Sequence, residues 1–280
     1  MTPAVSVVVP AFQNRATIAA TMHSILSQTY TDFELVVADH SSTDGTLQEA
    51  RRSTDDPRVR FVSTAAGGGA ARNWDRVTEQ ARGSLLKLVC GDDLLYPTCL
   101  AEQVAALREN PSAALAAVRR DLVDAAGRVL VRDRGLGRMS GLVVGQDAVR
   151  ATVRAGTNLL GEPMCTLLRT DLVRQVGGWA TANPFLMDED LYVRLLARHD
   201  LVALPRTLAA FRVSTAQWSV RLASDQARQA VAFHRELRSA SPGLLSAWDE
   251  TVGRAAVGRT ALLRRAAYVV WRRRMAARPI

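Results

Sequence analysis

The 280-residue chain is predicted to be an α/β protein: a mostly parallel sheet flanked by helices, with a helical C-terminal extension. Three observations predict this. Strand and helix patterns alternate through roughly the first hundred residues, and parallel strands need crossover connections that are usually helices. Pro10, Asp39 and Asp92-Asp93 each follow directly on a predicted strand, on the edge where open α/β sheets bind ligands. From about Ser224 onward the pattern is helical.

The first strand is the β-branched run Val5 to Val9, which stops at Pro10. Ile18, Met22, Ile25 and Leu26 then recur at helical spacing within Ala16 to Gln28. Leu35 to Ala38 reads as a second buried strand with Asp39 just past its end. Ser41-Ser-Thr-Asp-Gly-Thr46 supplies capping side chains for a polar helix through about Arg52. A third strand, Arg58 to Val62, leads to the glycine-rich Ala65 to Gly69, and a helix follows over Ala71 to Ala81. Leu85 to Val89 is the fourth strand. After a turn at Gly91-Asp92-Asp93, Pro97 opens a helix with Leu100, Val104 and Leu107 on one face.

The second half is less regular, with apolar patches at Leu115 to Val118 and Val129 to Val131 and a loop-rich stretch through about Gly161, which fits an acceptor-facing part. Leu172 to Trp179 reads as a helix ended by glycine, and Asp188-Glu-Asp190 opens a helix carrying Leu191, Leu195 and Leu196. The expected division is a nucleotide-binding part at 1–110, an acceptor-side part at 111–222 and a helical extension at 223–280.

Composition narrows the function. With 48% hydrophobic and 22% charged residues the chain is expected to fold rather than remain disordered. Cys90, Cys99 and Cys165 are odd in number and lack close spacing, which disfavours a disulfide framework or structural zinc and suits a reducing, cytoplasmic setting. No signal peptide or membrane-spanning run is read. The net charge of +9 is uneven: eight Arg and no acid lie between Arg254 and Ile280, leaving +1 (9 minus 8) for the rest. On a helical wheel Leu262, Leu263, Ala266, Val269 and Val270 share an arc opposite Arg264, Arg265 and Arg272. This stripe either packs on the domain or lies on an anionic membrane surface, so peripheral membrane contact through 258–278 and a place at the inner face of the cytoplasmic membrane stay open. Nucleic acid is not an expected partner.

The candidate chemistry is acidic. Asp92 and Asp93 would repel without compensation, and Mn²⁺ or Mg²⁺ is commonly held by one or two carboxylates plus substrate phosphates. The bland alternative is a turn that caps the next helix. Asp39 suits a base N–H or a ribose hydroxyl, or else an Asx-turn, with His40 as a polar neighbour. Arg72 suits phosphate oxygens or a surface ion pair. The acids Asp188, Glu189 and Asp190 are favoured at a helix start by the macrodipole alone, or supply a general base. His23, His199 and His234 read as structural or surface residues, and there is neither a Ser-His-Asp pattern nor a phosphate-cradling GxxxxGK[ST] loop.

Taken together, Val5-Ser-Val-Val-Val-Pro-Ala-Phe-Gln13, Val37-Ala-Asp-His-Ser-Ser-Thr-Asp-Gly-Thr46, Ala70-Ala-Arg-Asn73, Cys90-Gly-Asp-Asp93, Gly177-Gly-Trp179 and Met187-Asp-Glu-Asp-Leu191 resemble the family-2 inverting glycosyltransferases of the GT-A fold. The resemblance implies a metal-dependent enzyme that takes a nucleotide-diphosphate sugar donor and a glycan or lipid-linked acceptor, in cell-surface glycan or glycolipid assembly. It puts Pro10, Ala11, Phe12, Asp39 and Arg72 on the donor, Asp92 on the ribose and the metal, Asp93 on the metal, and Asp188 in the role of base. Cys90 stands where the family's metal motif has its first acid, Phe12 and Gln13 stand for its usual Tyr and Asn, and Met187 stands for a preceding Glu. The Gln-x-x-Arg-Trp motif of processive synthases is absent, which implies single transfer. Two rivals are a sugar-nucleotide nucleotidyltransferase, for which no basic glycine-rich loop follows the first strand, and a non-catalytic nucleotide-binding module.

Overall fold

Side-chain alternation decides how the central sheet is buried. The computed structural model describes residues 2–179, 183–214 and 225–276, and in it β1 (Val5–Ala11) and β2 (Phe33–Asp39) are buried at every position. Successive residues of a strand point to opposite faces. Val8, Val36, Ala38, Leu86 and Leu88 accordingly feed one apolar layer, and Val5, Val7, Val9, Leu35 and Val37 feed the other. With β3 (Val59–Ser63) and β4 (Leu85–Leu88), these strands form the expected parallel unit in the order β3-β2-β1-β4.

Helices cover both faces. On one side, α1 (Ile18–Leu26), α2 (Thr46–Arg52) and α4 (Cys99–Glu109) contribute Ile18, Met22, Ala50, Leu100 and Val104. On the other, α3 (Gly69–Glu79), α5 (Gly145–Ala155), α6 (Thr170–Gln175) and α7 (Met187–Leu196) contribute Val77, Val149, Val173 and Leu191. Lys87, the only lysine of the chain, is fully buried; its Nζ donates to Gln103 Oε1 at 2.7 Å and to the Thr166 carbonyl at 3.1 Å.

The stretch that looks irregular in sequence holds much of the sheet. β5 (Leu94–Leu95), β6 (Ala113–Val123), β7 (Val129–Arg134), β8 (Gly141–Val143), β9 (Thr166–Arg169) and β10 (Asp200–Arg212) extend it to ten strands. β9 joins β4 to β6 by antiparallel pairing on both sides, while β10 runs parallel to β6. One sheet therefore runs through residues on both sides of position 110. β6 escapes notice because its buried start, Ala113-Ala-Leu-Ala-Ala-Val118, is alanine-rich and has no period-2 signature.

The Gly177-Gly-Trp179 segment has a clear local cause. Gly177 and Gly178 both take left-handed φ, +84° and +72°, and a Cβ on Gly178 would meet Asp75 Oδ1 at 2.8 Å. The turn delivers Trp179 against Trp74, edge-on at 5.0 Å, with its indole N–H donating to Thr78 Oγ1 at 2.9 Å.

α8 (Gln226–Ala240) and α9 (Ala247–Met275) close the described chain, and a capping box between Ser246 and Asp249 starts α9. Gly253, Ala256, Val257 and Met275 face inward, whereas Leu262, Leu263, Val269 and Val270 are exposed. The apolar arc does not pack on the domain; the opposite face of the helix does. No described helix is long and apolar enough to cross a membrane.

Trp179→Ala should lower stability by about 3–5 kcal/mol, the usual loss for a buried large aromatic, as read by urea unfolding.

Candidate active site

The carboxyl ends of β1 and β2 form the first wall. Ala11 and Asp39 are register partners there, and Asp39 is buried. Its Oδ2 accepts from the Ser42 amide at 3.1 Å, while its Oδ1 is buried with no partner among the described residues. Such an orphan acceptor is costly unless a ligand donates to it. Beside it stands Phe12, a flat ring 54% exposed and edge-on to His40 at 6.0 Å. Burial lowers the His40 pKa, Arg76 lowers it further, Asp39 opposes and Arg72 again lowers it, so both arginines reach this corner electrostatically. Successive left-handed glycines, Gly67, Gly68 and Gly69, turn the chain into α3 and leave Arg72 exposed in its first turns. Gln13 and Ser41 also take positive φ, 55° and 56°, backbone strain of the sort that collects at ligand-facing loops.

The acidic turn is fixed by hydrogen bonds from the start of α1 and from the end of β10. Thr17 Oγ1 donates to the Gly91 carbonyl at 2.8 Å and Thr21 Oγ1 to the Asp93 carbonyl at 2.9 Å. Residue 91 must be small, since a Cβ there would lie 2.6 Å from Asn14 Oδ1. From the end of β10, the Arg212 amide donates to Asp93 Oδ1 at 3.2 Å, its Nε to the Asp92 carbonyl at 2.9 Å, and its Nη1 to the Ala125 carbonyl at 2.8 Å. Asp93 is 1% exposed, and its Oδ2 is a second buried orphan. Burial pushes its carboxyl well above the ordinary carboxylate range, and Asp92 adds to the push.

Four carboxylates act electrostatically on Cys90. The Cys90 thiol is pushed well above its ordinary pKa first by burial and then by Asp93, Asp92, Asp188 and Glu162, which keeps it a neutral thiol. Asp188 Oδ1 accepts from the Glu189 amide at 2.8 Å and Oδ2 from Asn158 Nδ2 at 3.1 Å. Burial and the neighbouring Glu162 raise its pKa to about 7. Glu162 is itself paired with Arg120, whose Nη2 donates to Oε1 at 3.0 Å. From α9, Tyr268 feels the Glu162 charge and the Arg264 guanidinium lies over the Phe185 ring at 5.5 Å, so the C-terminal helix borders the cluster.

The three consecutive acids of α7 separate by environment. Asp188 faces the cluster. Glu189 is buried and pushed to about 8 by burial and by Asp188, against Arg264. Asp190 holds Arg194, which donates on to the Gly178 carbonyl at 2.7 Å and so supports the glycine turn.

Glu162, Arg120, Asn158 and Arg212 were not singled out from the sequence. The nearest available signal is Gly161 just before Glu162, which takes φ +88° and where a Cβ would meet Cys165 Sγ at 2.7 Å. An open cleft of about 540 Å³ lies between α5 and the start of α9, but the Arg150 and Arg154 guanidiniums that line it are bonded to protein partners.

Among the described residues no three His, Cys, Asp or Glu side chains form a ready metal cage. Asp92 and Asp93 with the buried orphan Oδ2 nevertheless fit a divalent ion that draws its other ligands from phosphate and water.

A family profile described as Glycosyl transferase family 2 matches residues 6–173, more than half of the chain. The uncharacterized protein MT1568 of Mycobacterium tuberculosis (strain CDC 1551 / Oshkosh) is 33% identical over 229 residues, 79% of this chain and 70% of that protein. Among solved structures, residues 1–349 of S. aureus TarS in complex with UDP-GlcNAc superpose with a TM-score of 0.70 at 16% identity, covering 95% of this chain and 75% of that one. The mannosyltransferase PcManGT from Pyrobaculum calidifontis, in complex with GDP-Man and Mn²⁺, gives 0.64 at 20% identity over 96% and 81%. At these identities the structural likeness shows the GT-A fold.

Arg212→Ala leaves the Asp92 and Ala125 carbonyls without their donor and should cost about 1–3 kcal/mol by urea unfolding. Arg212→Lys should recover only part of this, because an ammonium cannot span both directions.

Proposed function

Because the chain belongs to glycosyltransferase family 2, we propose that it moves one sugar from a nucleotide-diphosphate sugar to an acceptor hydroxyl with inversion. The observation that supports this most is the pair of buried carboxylate oxygens, Asp39 Oδ1 and Asp93 Oδ2, that find no donor among the described residues, on one edge of the parallel sheet. Each needs a partner that a nucleotide diphosphate with its counter-ion would bring.

In this reading Asp39 accepts a hydrogen bond from the base, with Pro10, Ala11 and the exposed ring of Phe12 as the adjoining wall. Arg72 reaches the diphosphate oxygens. Asp92 takes a ribose hydroxyl and shares the metal with Asp93. Mn²⁺ or Mg²⁺ held there supplies positive charge to the leaving diphosphate. That solved structures of this fold are recorded with UDP-GlcNAc and with GDP-Man and Mn²⁺ supports the donor class.

Asp188 acts as general base. Inversion needs a base on the face of the sugar opposite the leaving diphosphate, and Asn158 with the Glu189 amide orients this carboxylate. A pKa of about 7 suits the task, since the group then binds a proton in the transition state and is still ionised in a useful fraction at neutral pH. The acceptor is a glycan or lipid-linked hydroxyl compound of the cell surface, served from the cytoplasmic side.

A calorimetric screen of UDP-, GDP- and dTDP-sugars with Mn²⁺, followed by a transfer assay with the donor that binds, tests the reading; binding without transfer or hydrolysis would make the chain a binding module. Since Asp188 must lose its proton to act, kcat/KM should rise as pH increases through about 7 and level off above it. Asp188→Asn should lower transfer by about 10² or more with donor affinity unchanged. Asp93→Ala should abolish metal-dependent nucleotide binding, and wild-type transfer in that variant would refute the metal assignment.

A further inference from the structure

The outward face of α9 is apolar over most of its length, although the domain beneath it has been covered. Trp248, Leu262, Leu263, Val269 and Val270 are 68%, 68%, 64%, 75% and 77% exposed. They belong to one face: Trp248, Ala255, Leu262 and Val269 repeat every seven residues, and Leu263, Ala266 and Val270 lie at the adjoining helical positions. This orientation is fixed by the packed side. Thr260 Oγ1 donates to the Gly156 carbonyl at 2.9 Å, Arg274 Nε to the buried Asp124 at 2.8 Å, and Met275 is buried. The helix cannot turn its stripe inward without breaking these contacts.

Charge selects the occupant. Arg254, Arg259, Arg265, Arg272 and Arg273 are all exposed, and none has an ion pair among the described residues. No acid occurs from Thr251 to Ala276 to offset them. A second copy meeting this face would bury several uncompensated guanidiniums together with the stripe, whereas a lipid interface takes the apolar side chains into its acyl boundary and leaves the arginines among anionic headgroups. An exposed tryptophan at one end, Arg265 and Arg272 on the flank, and Arg259 and Arg273 one heptad either side of Ala266, with stems long enough to carry their guanidiniums up to the headgroups, match the depth at which each side chain is comfortable.

We propose that the outer face of α9, from Trp248 to Arg273, docks the protein in plane on the surface of an anionic phospholipid bilayer. The helix is 29 residues long, about 43 Å at helical rise, and lies against the surface without crossing it. Its opposite face carries Arg264 and Tyr268 at the border of the acid cluster, so the docked helix separates that cluster from the membrane by about one helix diameter.

The test is flotation of the full chain with vesicles of phosphatidylcholine alone and of phosphatidylcholine with 30% phosphatidylglycerol. Binding should require phosphatidylglycerol and weaken at least tenfold between low and high salt. Leu262→Glu/Val269→Glu alters two exposed positions and should keep the thermal midpoint while cutting vesicle binding at least tenfold. Arg265→Ala/Arg272→Ala/Arg273→Ala should lower binding and flatten its salt dependence. Absence of binding to the anionic vesicles, equal binding to both vesicle types, or unchanged binding by the glutamate variant would overturn the proposal. So would a dimer in sedimentation velocity that the glutamate variant dissolves, since the stripe would then be an interface between copies.

Discussion

Crowding of negative charge around Cys90 is the constraint on which the rest of the site depends. Asp92, Asp93, Asp188 and Glu162 all act electrostatically on the half-buried Cys90, and like charges sharing a poorly solvated space cannot all stay ionised without compensation. The protein supplies part of it. Arg120 pairs with Glu162, and Arg212 turns its amide toward Asp93 and its guanidinium toward the carbonyls of Asp92 and Ala125. What remains is an excess of acid with Asp93 Oδ2 buried and unpartnered among the described residues, the kind of charge a divalent cation and its phosphate ligands complete. A neutral thiol at position 90 moderates this excess, because a carboxylate there would add a fifth like charge.

The sheet explains how such distant residues meet. β1, β2 and β4 run parallel, so the segments after their carboxyl ends lie on one edge, and β10 ends with Arg212 against the acidic turn. The antiparallel strands of the second half brace the edge from the other side: Asn158 and Glu162 lie between α5 and β9, and α7 opens with Asp188 held by Asn158. The placement of α9 links the edge to the surface, with Arg264 and Tyr268 toward the acids and Leu262 and Val269 toward solvent.

The first half of the fold was legible because its strands are short apolar runs, β-branched in β1, bounded by glycine, proline and aspartate, and each lies within a few residues of its expected place. Asp39 and Asp92-Asp93 stand out in the sequence by following strands onto one sheet edge, and in the structure Asp39 and Asp93 each carry a buried oxygen without a partner among the described residues. β6 was illegible because alanine carries no strand signature and β10 because no turn signal brackets it. Glu162 and Arg212 carry no local pattern at all: one is an acid in a loop and the other an arginine at a strand end, and only tertiary contact gives either a role. The C-terminal stripe was visible, but its direction was not, since a helical wheel gives a face and only packing says which way it points.

The central claim is that the acidic turn and the donor diphosphate hold one divalent ion between them. The most direct measurement is the affinity for Mn²⁺ by calorimetric titration in the absence and in the presence of a saturating nucleotide diphosphate. Because coupling between two ligands is reciprocal, shared coordination predicts that the nucleotide tightens Mn²⁺ binding at least about tenfold, and that Mn²⁺ tightens the nucleotide by the same factor. Equal Mn²⁺ affinity in both titrations, with nucleotide binding unaffected by EDTA, would contradict it.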